Sequence, residues 1–384
     1  MPTSSNAALL LAVVLALGLA FSAKPIHRRL FHAIPDYFTL TGVRRPKPVP
    51  SDFDIDKAKA RPYRPFRWEY HQTMSLKSMD PDRWIELEST YKTRIQQRLE
   101  LYSLHDKKII DCLPGAEAAC KELMEMVIQF VCARYPKQFS YGADGVFHNR
   151  ILDIHSDTRT IHPLFFLLQH IPEDFLITLE DKKSGFYTFR AGVSCSSVGW
   201  NVSTKIGMNL QQIHQPVPDY KEKMEFSMDR YFSKMPTDKP IQRGSWGIEV
   251  GQPLFFQEDE AEFKLSREPQ GPPDLSIDDV HLRVDWQTLR RLPRSCAIVF
   301  NFKPLFTPIR DFREEPYIPS LLLKILKDGK SSFMEYKSFS HVSHVVLPAL
   351  EEWAREQEEK GWVPKDWVPR TLAEDPFFPG YNVS

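Results

Sequence analysis

The sequence predicts an α+β fold in which a mainly antiparallel sheet carries flanking helices. Two amphipathic helices come early in the chain, and from about residue 175 onward short apolar segments are separated by Pro, Gly and Asp turns. These segments do not alternate with full helices, as a doubly wound parallel sheet would require. With 42% hydrophobic and 12% aromatic residues, the 384-residue chain has ample apolar material for a buried core.

The first element is an uncharged apolar run over Ala7–Ala23, followed by a basic cluster within residues 24–29. Its length of about 17 residues is at the short end of what a membrane-spanning helix needs. A cleaved signal peptide is the alternative, but it requires basic residues before the run and a small residue where Phe21 stands. We therefore expect residues 1–23 to anchor a single-pass protein of the endoplasmic reticulum. The positive-inside rule places residues 24–384 in the cytosol.

The remaining chain divides into a proline-rich linker or arm over residues 24–66, a domain over 67–360 and a tail over 361–384. Inside the domain, Asp80 followed by a proline predicts a helix from that residue to about Tyr102.

The later elements follow from periodicity and turn residues. An apolar stripe predicts a second helix over Ala116–Arg134. Strands are predicted at Phe175–Leu179, Phe186–Val193, Trp246–Val250, His281–Trp286 and Cys296–Phe302. Further helices are predicted in part of Gly199–His214, at Tyr220–Phe232 and at Val342–Lys360.

Composition and motifs exclude several classes of protein. Fifty basic and fifty acidic residues give a formal net charge of zero, which argues against a nucleic-acid binder. The five cysteines form no C-x-x-C pair, which argues against a zinc ribbon or a disulfide framework and favours free thiols in a reducing compartment. The motifs of P-loop, dinucleotide-binding, serine-hydrolase and zincin proteins are absent from the sequence.

One candidate site is His155-Ser-Asp157, which has the H-x-D spacing of a non-haem iron facial triad. His214 or His281 would serve as the distal histidine. The same residues equally fit a polar turn.

A second candidate is His214, which stands at the end of a predicted helical segment and just before Pro216 and Pro218. The prolines stop the helix and hold the histidine rigidly, as an axial metal ligand requires. A capping or core histidine is the alternative, and the local sequence does not decide between them.

A third candidate is the predicted strand that begins at His281. Alternation places Arg283, Asp285 and Gln287 on one strand face, where burial would be costly without ligands or mutual pairing. A solvated charged face is the alternative.

Further arginines follow that strand or precede it in the chain. Arg290, Arg291 and Arg294 stand in a basic turn suited to holding carboxylates, and Arg243 lies three residues from Trp246. Exposed surface arginines would give the same pattern.

Five ordered segments together resemble the haem-dependent oxidative N-demethylase alpha-subunit family, over residues 64–350. The segments are Met74-Ser-Leu-Lys-Ser-Met-Asp-Pro-Asp-Arg-Trp84, Pro172-Glu-Asp-Phe175, Trp200 with Lys205-Ile-Gly207 and Ile213-His-Gln-Pro-Val-Pro218, Arg243-x-x-Trp246, and Arg283-x-Asp-x-Gln-Thr-Leu-x-Arg-Leu-Pro293. Long, fungal-type members of this family carry an N-terminal extension.

The resemblance implies a PAS-like domain that holds haem between an antiparallel sheet and flanking helices. It also implies oxidative demethylation of a small secondary amine with dioxygen. Electrons would come from NADPH through separate flavin and iron–sulfur subunits, for which this chain shows no binding motif.

By its position in the matching segments, His214 is expected to be the axial haem ligand and so the metal ligand. The resemblance likewise implies that Arg243, Arg290 and Arg291 bind the haem.

Asp285 becomes the carboxylate for an amine substrate, and Arg283 a partner for a propionate or for oxygen. The chain departs from the family where Asp285 replaces Glu and where Cys195-Ser-Ser-Val-Gly-Trp200 replaces an aromatic-Pro-Ser tripeptide before the tryptophan. The expected function is that of a haem monooxygenase acting on a small amine or a secondary metabolite. A PAS-like haem or gas sensor without catalysis, and a scaffold-like member without haem, are the alternatives.

Overall fold

The computed structural model describes residues 34–268, 271–337 and 339–372, which form ten strands and twelve α-helices. The strands are β1 (Lys77–Ser78), β2 (Ile110–Cys112), β3 (Phe139–Tyr141), β4 (Val146–Asn149), β5 (Ile154–Asp157), β6 (Asp174–Glu180), β7 (Tyr187–Val193), β8 (Ile241–Val250), β9 (Val280–Arg291) and β10 (Ile298–Pro308). The helices are α1 (Tyr37–Thr41), α2 (Tyr91–His105), α3 (Glu117–Arg134), α4 (Pro163–His170), α5 (Val202–Lys205), α6 (Leu210–His214), α7 (Tyr220–Lys223), α8 (Glu225–Lys234), α9 (Ala261–Ser266), α10 (Ile318–Asp328), α11 (Ser331–Tyr336) and α12 (Ser343–Glu359).

A seven-stranded antiparallel sheet forms the centre of the described part, in the order β1-β8-β9-β10-β6-β7-β2. The strands β3, β4 and β5 form a separate antiparallel sheet. The predicted α+β class with a mainly antiparallel sheet is therefore confirmed.

Three apolar clusters hold helices against the large sheet. The first joins α2, α3 and α4 to β6 and β7, and the second joins α10 and α12 to β8 and β9. The third joins α6, α7 and α8 to β7, β8, β9 and β10. The predicted arm also contributes, because Tyr37 lies in the first cluster and Tyr63 and Phe66 lie in the second.

The prediction that a helix begins at Asp80 is wrong. Asp80 caps only a short 3-10 turn, and α2 begins at Tyr91. Tertiary hydrogen bonds hold the intervening segment in an irregular path. The Trp84 indole donates to the Asn301 side chain at 3.0 Å, and the Leu87 amide donates to the Tyr135 hydroxyl at 3.1 Å.

The other predicted elements lie close to observed ones. The helix predicted over Ala116–Arg134 is α3, and the five predicted strands fall on β6 to β10. The segment His155–Asp157, for which a polar turn was one interpretation, belongs to strand β5.

The predicted membrane anchor at residues 7–23 lies outside the described residues. Within the described ranges, every helix is too short or too polar to cross a membrane.

Candidate active site

The two faces of β9 carry different chemistry, because successive side chains of a strand point to opposite sides of the sheet. Asp285 and Gln287 lie on one face together with Arg243, which pairs with Gln287 across β8 and β9. We name this the Asp285 face. Trp286 lies on the opposite face, within the cluster formed with α10 and α12.

Helices α6 to α8 cover only one end of the Asp285 face. Leu210 and Tyr220 from these helices pack with Leu289 and Ile298 from the sheet. The middle of the face stays partly open, since the Asp285 side chain keeps 27% of its surface exposed although β9 lies between β8 and β10.

We refer to this partly open region as the cleft, and its residues come from separate elements. Arg243, Asp285 and Gln287 lie on its floor. His214, at the end of α6, is close enough to Arg243 for the arginine charge to act on it. Trp200 forms a wall, since its ring lies 6.3 Å from that of Phe302 on β10.

The His214 imidazole is fixed in one tautomer. Its Nδ1 lies 2.8 Å from the Leu210 carbonyl oxygen, which only accepts hydrogen bonds, so Nδ1 carries the proton and Nε2 keeps a lone pair. The ring also stacks on Tyr220, with a 5.0 Å centroid separation and an 11° interplanar angle. Burial lowers the pKa of His214, and the positive charge of Arg243 lowers it further, so the ring is neutral at pH 7.

A reciprocal capping box at the N-terminus of α6 fixes the position of His214 at the other end of this helix. The Asn209 side chain accepts from the Gln212 amide, and the Gln212 side chain accepts from the Asn209 amide, each at 2.9 Å. The resulting single turn of helix brings His214 over Leu210 and allows the Nδ1 hydrogen bond.

Arg243 is a cation without a partner among the described residues. It makes no hydrogen bond or ion pair there, and its Nε is buried and unbonded. Burial lowers the pKa of Arg243. Tyr70 and Tyr336 lie near this guanidinium. Burial raises the pKa of each tyrosine, and the positive charge of Arg243 opposes that rise. A half-buried, unpaired guanidinium of this kind is suited to an anionic ligand group.

Asp285 is held in one orientation by Arg283. The Arg283 Nε donates to Asp285 Oδ1 at 3.0 Å, and the same guanidinium donates to the carbonyl oxygens of Pro253 and Ser196. Burial raises the pKa of Asp285, and the Arg283 charge opposes that rise. Asp285 Oδ2 makes no hydrogen bond to the described protein, so it remains available to a ligand.

A buried network fixes the Ser196 carbonyl that receives Arg283. Asp174 accepts hydrogen bonds from the amides of Cys195 and Ser196 at 3.0 and 2.8 Å, and it forms an ion pair with Arg98. The segment that departs from the aromatic-Pro-Ser pattern therefore holds the floor of the cleft in place through Arg283.

A comparison with known families matches residues 75–347, more than half of the chain, to the family described as haem-dependent oxidative N-demethylase, alpha subunit-like. The chain belongs to this N-demethylase alpha-subunit-like family. The family is described as haem-dependent, and the match includes His214, Arg243, Arg283 and Asp285. The sequence resemblance is thereby confirmed.

The cleft of this N-demethylase-like chain fits haem in its donor set. A histidine nitrogen is a common protein ligand of haem iron, and His214 would offer a neutral Nε2 whose tautomer is fixed by a backbone carbonyl. The unpaired, half-buried Arg243 fits a propionate, and the aromatic rings of Trp200 and Phe302 fit a flat apolar group.

Two arginines expected to bind the cofactor lie away from the middle of the cleft. Arg290 is on the opposite face of β9, with its Cζ 3.4 Å from the Trp84 ring centroid, and burial lowers its pKa to about 9. Arg291 is on the Asp285 face, but its guanidinium donates to the carbonyl oxygens of Met235, Cys296 and Phe232. It therefore ties the end of α8 to the sheet.

The structure does not assemble a non-haem iron triad. His155 is exposed on β5 and stacks loosely on His148, with ring centroids 5.8 Å apart, and Asp157 pairs with Arg159. Within the described part of the chain, no three His, Cys, Asp or Glu side chains are grouped to hold a metal ion. The H-x-D interpretation is wrong.

Lys337 borders the cleft and was not predicted from the sequence. Its Nζ donates to the Trp246 carbonyl oxygen and lies 4.1 Å from the Trp246 ring centroid. Burial lowers its pKa to about 8, and the charges of Asp285 and Arg243 both act on it. No motif in the sequence marks this lysine, because it follows α11 and contacts Trp246 of β8, which lies 91 residues away in the chain.

Proposed function

We propose that this chain is a haem-dependent monooxygenase that oxidatively demethylates or hydroxylates a small amine or a secondary metabolite. The observation that carries the proposal is the His214 tautomer, because an Nδ1–H held by the Leu210 carbonyl leaves Nε2 as an iron ligand. The haem dependence of the family supports it.

Each cleft residue has a role in this proposal. His214 holds the iron through Nε2, and Arg243 holds a propionate. When bound, haem supplies the redox chemistry with dioxygen. Asp285 would accept an N–H of the substrate at Oδ2 and so orient the amine, while Arg283 keeps the carboxylate from rotating. A carboxylate one methylene shorter than the glutamate of the family pattern leaves room for a bulkier amine.

We further propose that electrons come from a separate flavin or iron–sulfur reductase, as the family resemblance implies. The apolar run at residues 7–23, with basic residues after it, supports a single-pass anchor in the endoplasmic reticulum and a cytosolic domain. A cytosolic domain would be open to such a reductase.

The experiment measures formaldehyde released from a panel of N-methylated amines. Each turnover converts an N-methylamine, dioxygen, two electrons and two protons into the demethylated amine, formaldehyde and water. The full chain is purified with haem and supplied with a chemical reductant, and haem-free protein is the control. Formaldehyde in proportion to haem content supports the proposal. A haem spectrum without oxidation of any amine or metabolite would indicate the sensor alternative, and failure to bind haem would indicate the scaffold alternative.

A further inference from the structure

Two thiols lie in contact at the edge of the large sheet, away from the cleft. The sulfur atoms of Cys112 and Cys120 are 3.8 Å apart. Cys112 ends β2, the outermost strand of the sheet, and Cys120 lies in the first turn of α3. All five cysteines of the described chain are free thiols, and this is the pair whose sulfurs are in contact.

The main chain holds this pair together. The Leu113 amide donates to the Arg190 carbonyl oxygen at 2.8 Å, and the Arg190 guanidinium donates to the Pro114 carbonyl oxygen at 2.7 Å. The Gly115 amide donates to the Glu117 carboxylate at 2.8 Å and closes the turn into α3. The contact between the sulfurs is therefore set by a strand, a braced turn and a helix.

The two cysteines differ in exposure, as an attacking and a resolving thiol do. Cys112 is half-buried on an edge strand, whereas Cys120 is 1% exposed. A hydrogen bond from Cys120 lowers the pKa of the Cys112 thiol, and the same contact together with burial raises that of Cys120. Cys132 is also half-buried, but burial raises its pKa to about 12 against the opposing charges of Arg150 and Arg45.

We propose that Cys112 and Cys120 are a redox modification site, which hydrogen peroxide converts to a reversible disulfide. The sulfurs must approach from 3.8 Å to about 2.05 Å for the bond to form. The Cys112 thiolate attacks a peroxide oxygen, the O–O bond breaks, and with one proton the products are a sulfenic acid and water. The Cys120 sulfur then attacks the sulfenic sulfur, the S–O bond breaks, and the Cys120 proton leaves with the hydroxyl group as a second water.

The experiment treats the reduced full chain with hydrogen peroxide and maps its thiols. Digestion with a glutamate-specific protease cuts after Glu117, between the two cysteines, so their disulfide joins two peptides. The expected result is a fall from five titratable thiols to three, a linked Cys112–Cys120 peptide pair and recovery of both thiols with dithiothreitol. Cys112 should react more than about tenfold faster than Cys132.

Matched variants identify the role of each sulfur. Cys120→Ser should stop at a Cys112 sulfenic acid that dimedone traps, and Cys112→Ser should leave Cys120 reduced. Cys296→Ser, which removes an exposed cysteine elsewhere, should leave disulfide formation unchanged. Alkylation of both Cys112 and Cys120 after peroxide treatment would overturn the proposal. So would formation of the disulfide at the same rate in the urea-unfolded chain, because the folded contact would then have no effect.

Discussion

Arg283 and Asp285 form an ion pair along one strand, with 3.0 Å between the arginine Nε and the carboxylate Oδ1. The arginine side chain is 5% exposed and the aspartate side chain is 27% exposed, so one partner is buried while the other opens into the cleft. One carboxylate oxygen is thereby fixed and the other remains free. The pair presents a single acceptor to whatever binds above the centre of the sheet.

Asp285→Asn tests whether that free oxygen binds the substrate. Loss of a charge-assisted hydrogen bond is expected to reduce kcat/KM by about 10–100-fold, since such bonds contribute roughly 1.5–3 kcal/mol. The haem spectrum should not change, and Asp285→Glu, which restores the glutamate of the family pattern, should retain more activity than the asparagine variant. Steady-state formaldehyde release measures both variants, and equal activity of Asp285→Asn and wild type would rule out this role.

Arg283→Met tests the structural part of the pair. It leaves the carboxylate and two backbone carbonyls without their donor, and this loss is expected to lower the free energy of unfolding by about 1–3 kcal/mol. Urea denaturation followed by circular dichroism measures the loss. Arg310→Met is the matched control, because its pair with Asp278 is exposed on both sides and should contribute less than about 1 kcal/mol. Similar losses in the two variants would contradict this assignment.

The sequence predicted five of the seven strands of the large sheet because they are short apolar segments bounded by turn residues, and α3 because its apolar stripe is long. It placed the start of α2 wrongly, since the contacts of Trp84 and Leu87 with residues distant in the chain oppose helix formation. Local periodicity carries no information about such contacts.

Candidate site residues could be predicted only in part. Arg283 and Asp285 share a face, as strand alternation requires. The same alternation places Arg290 on the other face, so its separation from Asp285 could have been predicted from the sequence. Lys337 could not be predicted, because its place near the cleft depends on a contact with Trp246, which lies 91 residues away in the chain.

The raised pKa of Glu173 leads us to expect that the stability of the fold depends on pH. Its carboxyl is 1% exposed, and burial raises its pKa from 4.5 to about 7. Between these two pH values the folded protein keeps a proton that the unfolded chain releases, so stability falls as pH rises, by up to about 1.4 kcal/mol per pH unit.

Glu173→Gln should remove this contribution. The free energy of unfolding of both proteins is measured in urea at pH 5, 6, 7 and 8. The value for the variant minus that for wild type should increase as pH rises toward 7 and should stay constant above it. A constant difference across the whole range would show that Glu173 does not titrate in this window.

The predicted anchor at residues 7–23 is tested in intact microsomes. Added protease should digest the domain over residues 67–360, and the sequons at Asn201 and Asn382 should carry no glycan, because a cytosolic domain is open to protease and closed to glycosylation. Detergent-treated microsomes control for protease activity. A protected domain with glycan on Asn201 would reverse the orientation.

The haem spectrum of His214→Ala tests most directly whether His214 binds the haem iron. Because Nε2 of His214 is the proposed iron ligand, the variant should lose its Soret band or shift it strongly while its far-ultraviolet circular dichroism stays nearly intact. Added imidazole should restore part of the spectrum, and His281→Ala should keep the wild-type band. A wild-type Soret band in His214→Ala, with only a lower melting temperature, would show that His214 caps its helix and that the iron ligand is another residue, such as His162 or His155.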